Sequence, residues 1–275
     1  MKIYNALFHL LTALIISAAL AGCSTANVNL GREAGYYEGL KITDFSRMKT
    51  PADVKPDKRN ESQIRYRVIT YSAQKKNFAK LRIPVNEIEA GPETQIDKNA
   101  QRNGLLYKAG DSGDLKILSD AVKEASADTE NRTYLVVYQE GSDDVYLREV
   151  HGLRTVIYVD SRNTAKDRQL CSGRYGITLS TIRRGGSDIA VLLPFFDNGA
   201  GLAESLEIIR PRLKNAGKTK FESCALSCRM ERGSFILMMP ESLPLQDKSV
   251  ARELFQHSED ESRFSFYVIA CTAVL

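Results

Sequence analysis

Short β-prone runs set off by glycine turns constrain this chain more than any other feature. Ile64, Tyr66 and Val68 alternate with Gln63, Arg65 and Arg67. Successive side chains of a strand point to opposite faces, so this alternation predicts a half-buried strand. Residues 79–85 read as a second strand. Residues 134–138 and 155–159 are apolar and β-branched, which predicts strands covered on both faces. The clearest local signal is 176–184, then Gly185-Gly186-Ser187, then 188–196, two β-prone runs joined as a hairpin. Residues 221–229 and 234–239 read as strands around a turn at Glu231-Arg232-Gly233, and 264–274 as a long final strand.

Helical spacing is scarcer. Leu115, Leu118, Val122 and Ala125 predict an amphipathic helix over 114–127. Residues 250–255 predict a short one. Leu202, Leu206, Ile209 and Leu213 are also helically spaced, but Pro211 disfavours helix at Arg210, which leaves that stretch open. The fold class this predicts is α+β and β-dominated, mostly antiparallel sheet with two or three short helices.

A makeup of 43% hydrophobic and 26% charged residues argues for a globular chain and against disorder or collagen. The formal charge of +4 is mild and interspersed, so nucleic acid is not an expected partner.

The N-terminus begins Met1-Lys2-Ile3, continues as an apolar run over 6–20 and ends in Leu20-Ala21-Gly22-Cys23. A basic start, an apolar middle and small residues before a cut describe a secretory signal. Beyond it, no apolar run reaches the roughly 18 residues of a spanning helix. The small pair directly before Cys23 resembles the lipobox of bacterial lipoproteins. That resemblance implies acylation of the Cys23 thiol and anchoring in a membrane. By the sorting rules it implies, Ser24 after the cysteine favours the outer membrane of a two-membrane bacterium. The expected organisation is a signal over 1–22, a polar tether broken by glycine and proline over 23–61, and a β-rich domain over 62–275.

Cys171, Cys224, Cys228 and Cys271 are candidates for disulfides in an oxidising compartment, with three possible pairings. The Cys224-Ala-Leu-Ser-Cys228 spacing suits a metal pair, a local bridge or two core thiols. A zinc site normally needs four close ligands, and no histidine neighbours the pair in sequence, so zinc is disfavoured. No phosphate-binding loop, G-x-S-x-G or H-E-x-x-H motif occurs. His151 and His257 read as exposed polar residues, and Asp143-Asp144 and Glu259-Asp260-Glu261 as solvated turns. The expectation is a protein that is not an enzyme, with no cofactor and no metal.

The order of segments resembles the C-terminal domain of secretins, the outer-membrane channel proteins of secretion and pilus systems. Residues 63–71 followed by Asn77-Phe78-Ala79-Lys80-Leu81 look like that domain's opening strand and short helix. Gly176-Ile177-Thr178-Leu179 with its hairpin, the turn and strand at 232–237, Leu254-Phe255 and the strand 264–274 follow in the same order. Met238-Met239-Pro240 departs from the family, which carries a glycine pair there. The resemblance implies a structural component of an outer-membrane export, pilus or surface-assembly complex, with homo-oligomers or envelope proteins as partners. The alternative is a monomeric, periplasm-facing binding lipoprotein.

Overall fold

A computed structural model describes residues 63–89, 91, 93–138, 141–170, 172–184, 187–198, 218–257 and 259–274. Strands dominate. They are β1 (Gln63–Gln74), β2 (Gln95–Ile96), β3 (Leu105–Gly110), β4 (Asp128–Tyr138), β5 (Ser142–Val150), β6 (Arg154–Val159) and β7 (Ala165–Leu170). After them come β8 (Gly173–Arg184), β9 (Ser187–Asp197), β10 (Lys218–Lys220), β11 (Leu226–Arg229), β12 (Phe235–Pro240) and β13 (Arg263–Val274). The described α-helices are α1 (Phe78–Asn86), α2 (Leu115–Glu124) and α3 (Val250–Phe255). The β-dominated α+β class expected from the sequence is what the chain adopts.

Two antiparallel sheets form the body. One has the order β3-β12-β13-β1-β4, the other β2-β11-β9-β8-β5 with β10 also on β9. β6 and β7 form a separate ribbon. Between the sheets lies one core that includes Ile64, Tyr66 and Val68 of β1 and Ile177 and Leu179 of β8. Tyr66 crosses the gap, its hydroxyl 3.4 Å from Oγ1 of Thr181.

β1, β12 and β13 are central and buried on both faces, and β12 and β13 accordingly run apolar rather than alternating. β1 corrects the half-buried strand expected from its alternation, since Arg67 on its second face is fully buried as well. The second face of β1, with Ile69, Tyr71 and Ala73, is buried with Phe264 and Phe266 of β13. Tyr71 stacks on Phe266 at 5.2 Å, and Phe78 of α1 meets Phe264 edge-on at 5.4 Å. Leu81 and Val85 of α1 and Leu115 and Leu118 of α2 are buried as well.

Several expectations need correction. Residues 79–85 lie in α1 and are not a strand. A period of two would place Ala79, Leu81, Ile83 and Val85 on one face. The chain instead buries Leu81 and Val85, four apart, and leaves Ile83 65% exposed. The stretch 221–229 is no single strand: a 3-10 turn at Glu222–Cys224 precedes the short β11. β4 and β6 are not covered on both faces, since Val136 and Ile157 are exposed. The hairpin, the helices at 115 and 250 and the final strand fall where the sequence puts them.

Gly176 fixes how tightly β5, β8 and β9 sit. A Cβ there would lie 2.4 Å from the carbonyl oxygen of Val145 and 2.5 Å from the Phe195 ring. Gly176→Ala is therefore expected to cost about 1–3 kcal/mol through overpacking. Urea unfolding measures it, and a cost near zero would mean that the ring moves freely aside.

Candidate functional site

Cys23 and Cys171 lie outside the described residues. Cys224, Cys228 and Cys271 are free thiols, all buried. The bridge expected from the cysteine count is thus not formed among these three. Their placement gives the reason. Cys271 lies on β13 opposite Tyr66, and Cys228 on β11 opposite Ala190, so they belong to the two facing sheets. Packed sheets stand about 10 Å apart, whereas bridged Cα atoms lie about 4.4–6.8 Å apart. The Cys228 thiol instead meets the Met230 sulfur at 3.7 Å. Cys224 ends the 3-10 turn, and its carbonyl accepts the Tyr107 hydroxyl at 2.7 Å.

Burial pushes all three thiols up to about 12, because the thiolate would lose its hydration. In a Cys23→Ser/Cys171→Ser chain, a thiol-titrating disulfide reagent is expected to label nothing in the folded state and three cysteines once guanidinium is added. Rapid native labelling would contradict the burial. The sign of the pH effect follows. Unfolded thiols lose protons above their ordinary range, near 8.5, while the native ones hold theirs to about 12. The unfolded state then binds fewer protons, so stability falls as pH rises through that window.

His151 is exposed in the connection between β5 and β6, as expected. His257 is not simply solvated. Its Nε2 lies 2.6 Å from Oε1 of Glu130, while Nδ1 accepts the amides of Glu259 and Asp260 at 3.2 and 3.0 Å. Both ring nitrogens are engaged in tying the loop before β13 to β4.

Asp143-Asp144 likewise departs from a solvated turn, because both residues lie on β5. Asp144 pairs with Lys218 and accepts the Thr178 hydroxyl at 2.7 Å. These groups sit on the outer face of the six-stranded sheet in register with Tyr146, Gly176 and Phe195. The Lys218 ammonium lies 3.8 Å from the Phe195 ring centroid, and the Arg174 guanidinium 3.8 Å from that of Tyr146. The Tyr146 hydroxyl donates to Asp197 at 2.8 Å. The polar groups of this cluster hold one another, and the Lys218 ammonium covers the Phe195 ring. Single residues gave no sign of it, since its hydrogen bonds and ion pair join positions 34 to 74 residues apart and its ring contacts link different strands.

A second cluster went unseen for the same reason. Arg148 of β5 donates to the carbonyl of Glu253 at 2.9 Å, and Arg154 of β6 to the Glu253 carboxylate at 3.4 Å. Tyr175 of β8 lies close enough for all three to act on its hydroxyl. Burial first, then the Glu253 charge, raises the Tyr175 hydroxyl well above its usual range. Among the described residues four atoms here have no hydrogen-bond partner: Nε of Arg148, Nε of Arg154, Oη of Tyr175 and Oε2 of Glu253. Such groups are ordinarily matched by ordered water. The arrangement clamps α3 against β5, β6 and β8.

Among the described residues, no group of three or more His, Cys, Asp or Glu is placed to hold a metal ion. No helix among them is long and apolar enough to cross a membrane. No family model matches the chain, and no curated protein matches it.

Proposed function

We propose that this protein is a lipid-anchored component of a bacterial cell envelope. Cys23 carries the acyl chains, 23–61 form the tether, and the β-rich body is a secretin-like structural part of an outer-membrane export or surface-assembly complex. One observation carries the reading: Leu20-Ala21-Gly22-Cys23 stands directly after an apolar signal run. Ser24 in the next position favours the outer membrane. The body supplies the means of assembly. β3 and β4 border the five-stranded sheet, and β2 and β5 border the other. Strand edges of this kind pair with another chain unless they are guarded, and head-to-tail contacts that close make rings.

Replacing Cys23 by serine is expected to release the chain from the membrane fraction and to abolish palmitate labelling. Palmitate that persists in that variant would remove the anchor from the account. Heat-resistant multimers on a denaturing gel would support the assembly role. A monomer in mild detergent would favour the second reading, a binding lipoprotein with no channel role. A groove of about 800 Å³ on the six-stranded sheet, lined among others by Ile96, Ile182 and Val191, favours that second reading.

A further inference from the structure

Three sulfur-bearing side chains gather at one corner of the two facing sheets. Cys228 lies on β11 and Met230 just beyond its end, and both are buried in the core between the sheets. The Cys228 thiol donates to the Met230 sulfur at 3.7 Å. Cys271 of β13 is buried in the same core from the opposite sheet. The strand pairing sets the two thiols at one level. Cys271 pairs with Tyr66, whose hydroxyl lies 3.4 Å from Oγ1 of Thr181 across the gap. Thr181 pairs with Ala190, and Ala190 with Cys228. Ala190 adds only a methyl group to this level. The turn after Met230 closes the corner. The Gly233 amide donates to the Cys271 carbonyl at 2.9 Å, and the Cys271 amide to the Ser234 carbonyl at 2.8 Å.

A disulfide holds its sulfurs about 2 Å apart, too short a link for facing sheets. Two thiolates on one metal ion, each at about 2.3 Å, stand up to about 4.6 Å apart. An ion therefore spans a gap that a direct bridge cannot. The contact between Cys228 and Met230 has the matching length. Two sulfurs at that bond length and a tetrahedral angle lie about 3.8 Å apart. The donor set selects the metal. Thiolate and thioether sulfur suit the soft cuprous ion. Calcium and magnesium need oxygen ligands, and structural zinc takes four nitrogen or sulfur donors.

We propose that Cys228, Met230 and Cys271 bind one cuprous ion, which ties the two sheets together at this corner. Both thiols release their protons to solvent as their sulfurs bond the ion. The Met230 thioether donates a lone pair and loses nothing. No electron moves, since the ion enters and stays monovalent. The apolar surroundings exclude water and keep the bound ion from exchanging quickly. The inference is independent of the lipid anchor and of any assembly role.

The test uses the full chain carrying Cys23→Ser and Cys171→Ser, which leaves the three buried thiols as its only cysteines. Because the site is buried, the chain is refolded without oxygen in the presence of cuprous ion held in acetonitrile. Gel filtration against a cuprous chelator then removes loose metal. One copper per chain should remain, and X-ray absorption should show three sulfur atoms at about 2.3 Å. Cys228→Ala and Cys271→Ala should each abolish retention. Met230→Leu should lower affinity on the order of tenfold and leave two sulfurs on the ion. Cys224→Ala should change nothing, since Cys224 lies off the strand in the preceding 3-10 turn. Circular dichroism verifies that each variant folds, and the measurement on the parent chain stands without them. Loss of all copper to the chelator, a shell of nitrogen or oxygen, or full retention in Cys271→Ala would overturn the inference.

Discussion

Phe255→Ala is expected to lower the free energy of unfolding by about 3–5 kcal/mol, the usual loss for a buried aromatic truncated to alanine. Phe255 ends α3 and is fully buried in the core between the sheets. Its ring lies 6.0 Å from that of Tyr267, whose hydroxyl donates to the carbonyl of Leu254 at 2.7 Å. α3 has only six residues, too short to hold helical shape by propensity alone. Ser249 caps it by accepting the amide of Arg252 at 3.0 Å, and burial of its apolar side supplies the rest. Truncation therefore removes both the packing and the reason for the helix. The measurement is a urea or guanidinium transition followed by far-ultraviolet circular dichroism. A loss below about 1 kcal/mol would show that neighbouring side chains collapse into the space.

Glu253→Ala is the second substitution with a large expected effect. Its carboxylate is 6% exposed and pairs with Arg154, which is 39% exposed. Removing one partner of a buried pair typically costs about 3–5 kcal/mol, because the other charge is left without compensation. Water reaches Arg154, so screening reduces the expected loss to about 2–3 kcal/mol. Arg148 keeps its bond to the Glu253 backbone carbonyl and is not set free. A double-mutant cycle with Arg154→Met separates the pair from its surroundings. The double variant should be more stable than the sum of the two losses predicts. Simple additivity would mean that Arg154 and Glu253 do not act together.

The parts of the fold readable in the sequence are those where one local pattern has one meaning. The hairpin of β8 and β9 announces itself by two long β-prone runs around Gly185-Gly186. β13 does so by an unbroken apolar run, and α2 by Leu115, Leu118 and Val122 on one side. The failures have equally local causes. In α1, Ala79, Leu81, Ile83 and Val85 satisfy a period of two and hide the four-residue spacing that decides burial. β7 reads Ala-Lys-Asp-Arg-Gln-Leu, carries almost no apolar signal and exists because it pairs residue for residue with β6. β3 buries Leu105, Tyr107 and Ala109 alternately, but six residues after a polar stretch were too few to stand out.

The cysteine count implied bridges and could not say which strands face each other. Sheet order is what keeps Cys228 and Cys271 apart. The charged clusters at Asp144–Lys218 and Arg154–Glu253 were invisible for a further reason. Their members lie 74 and 99 residues apart, and only the packing of β5 beside β8 and β9 in the first case and of α3 against β6 in the second brings them together.

β1 and β13 lie side by side at the middle of the five-stranded sheet, paired from Ile64↔Val274 to Gln74↔Arg263. The first described strand and the last are thus each other's neighbours. A polypeptide delivered amino end first, from a ribosome or through a membrane, holds β1 for about two hundred residues before its mate arrives. Until then that sheet has a gap at its centre, and any stop codon ahead of β13 makes the gap permanent. β4, which pairs with the other edge of β1, arrives much earlier, so the closing step of this sheet is the insertion of β13 between β1 and β12.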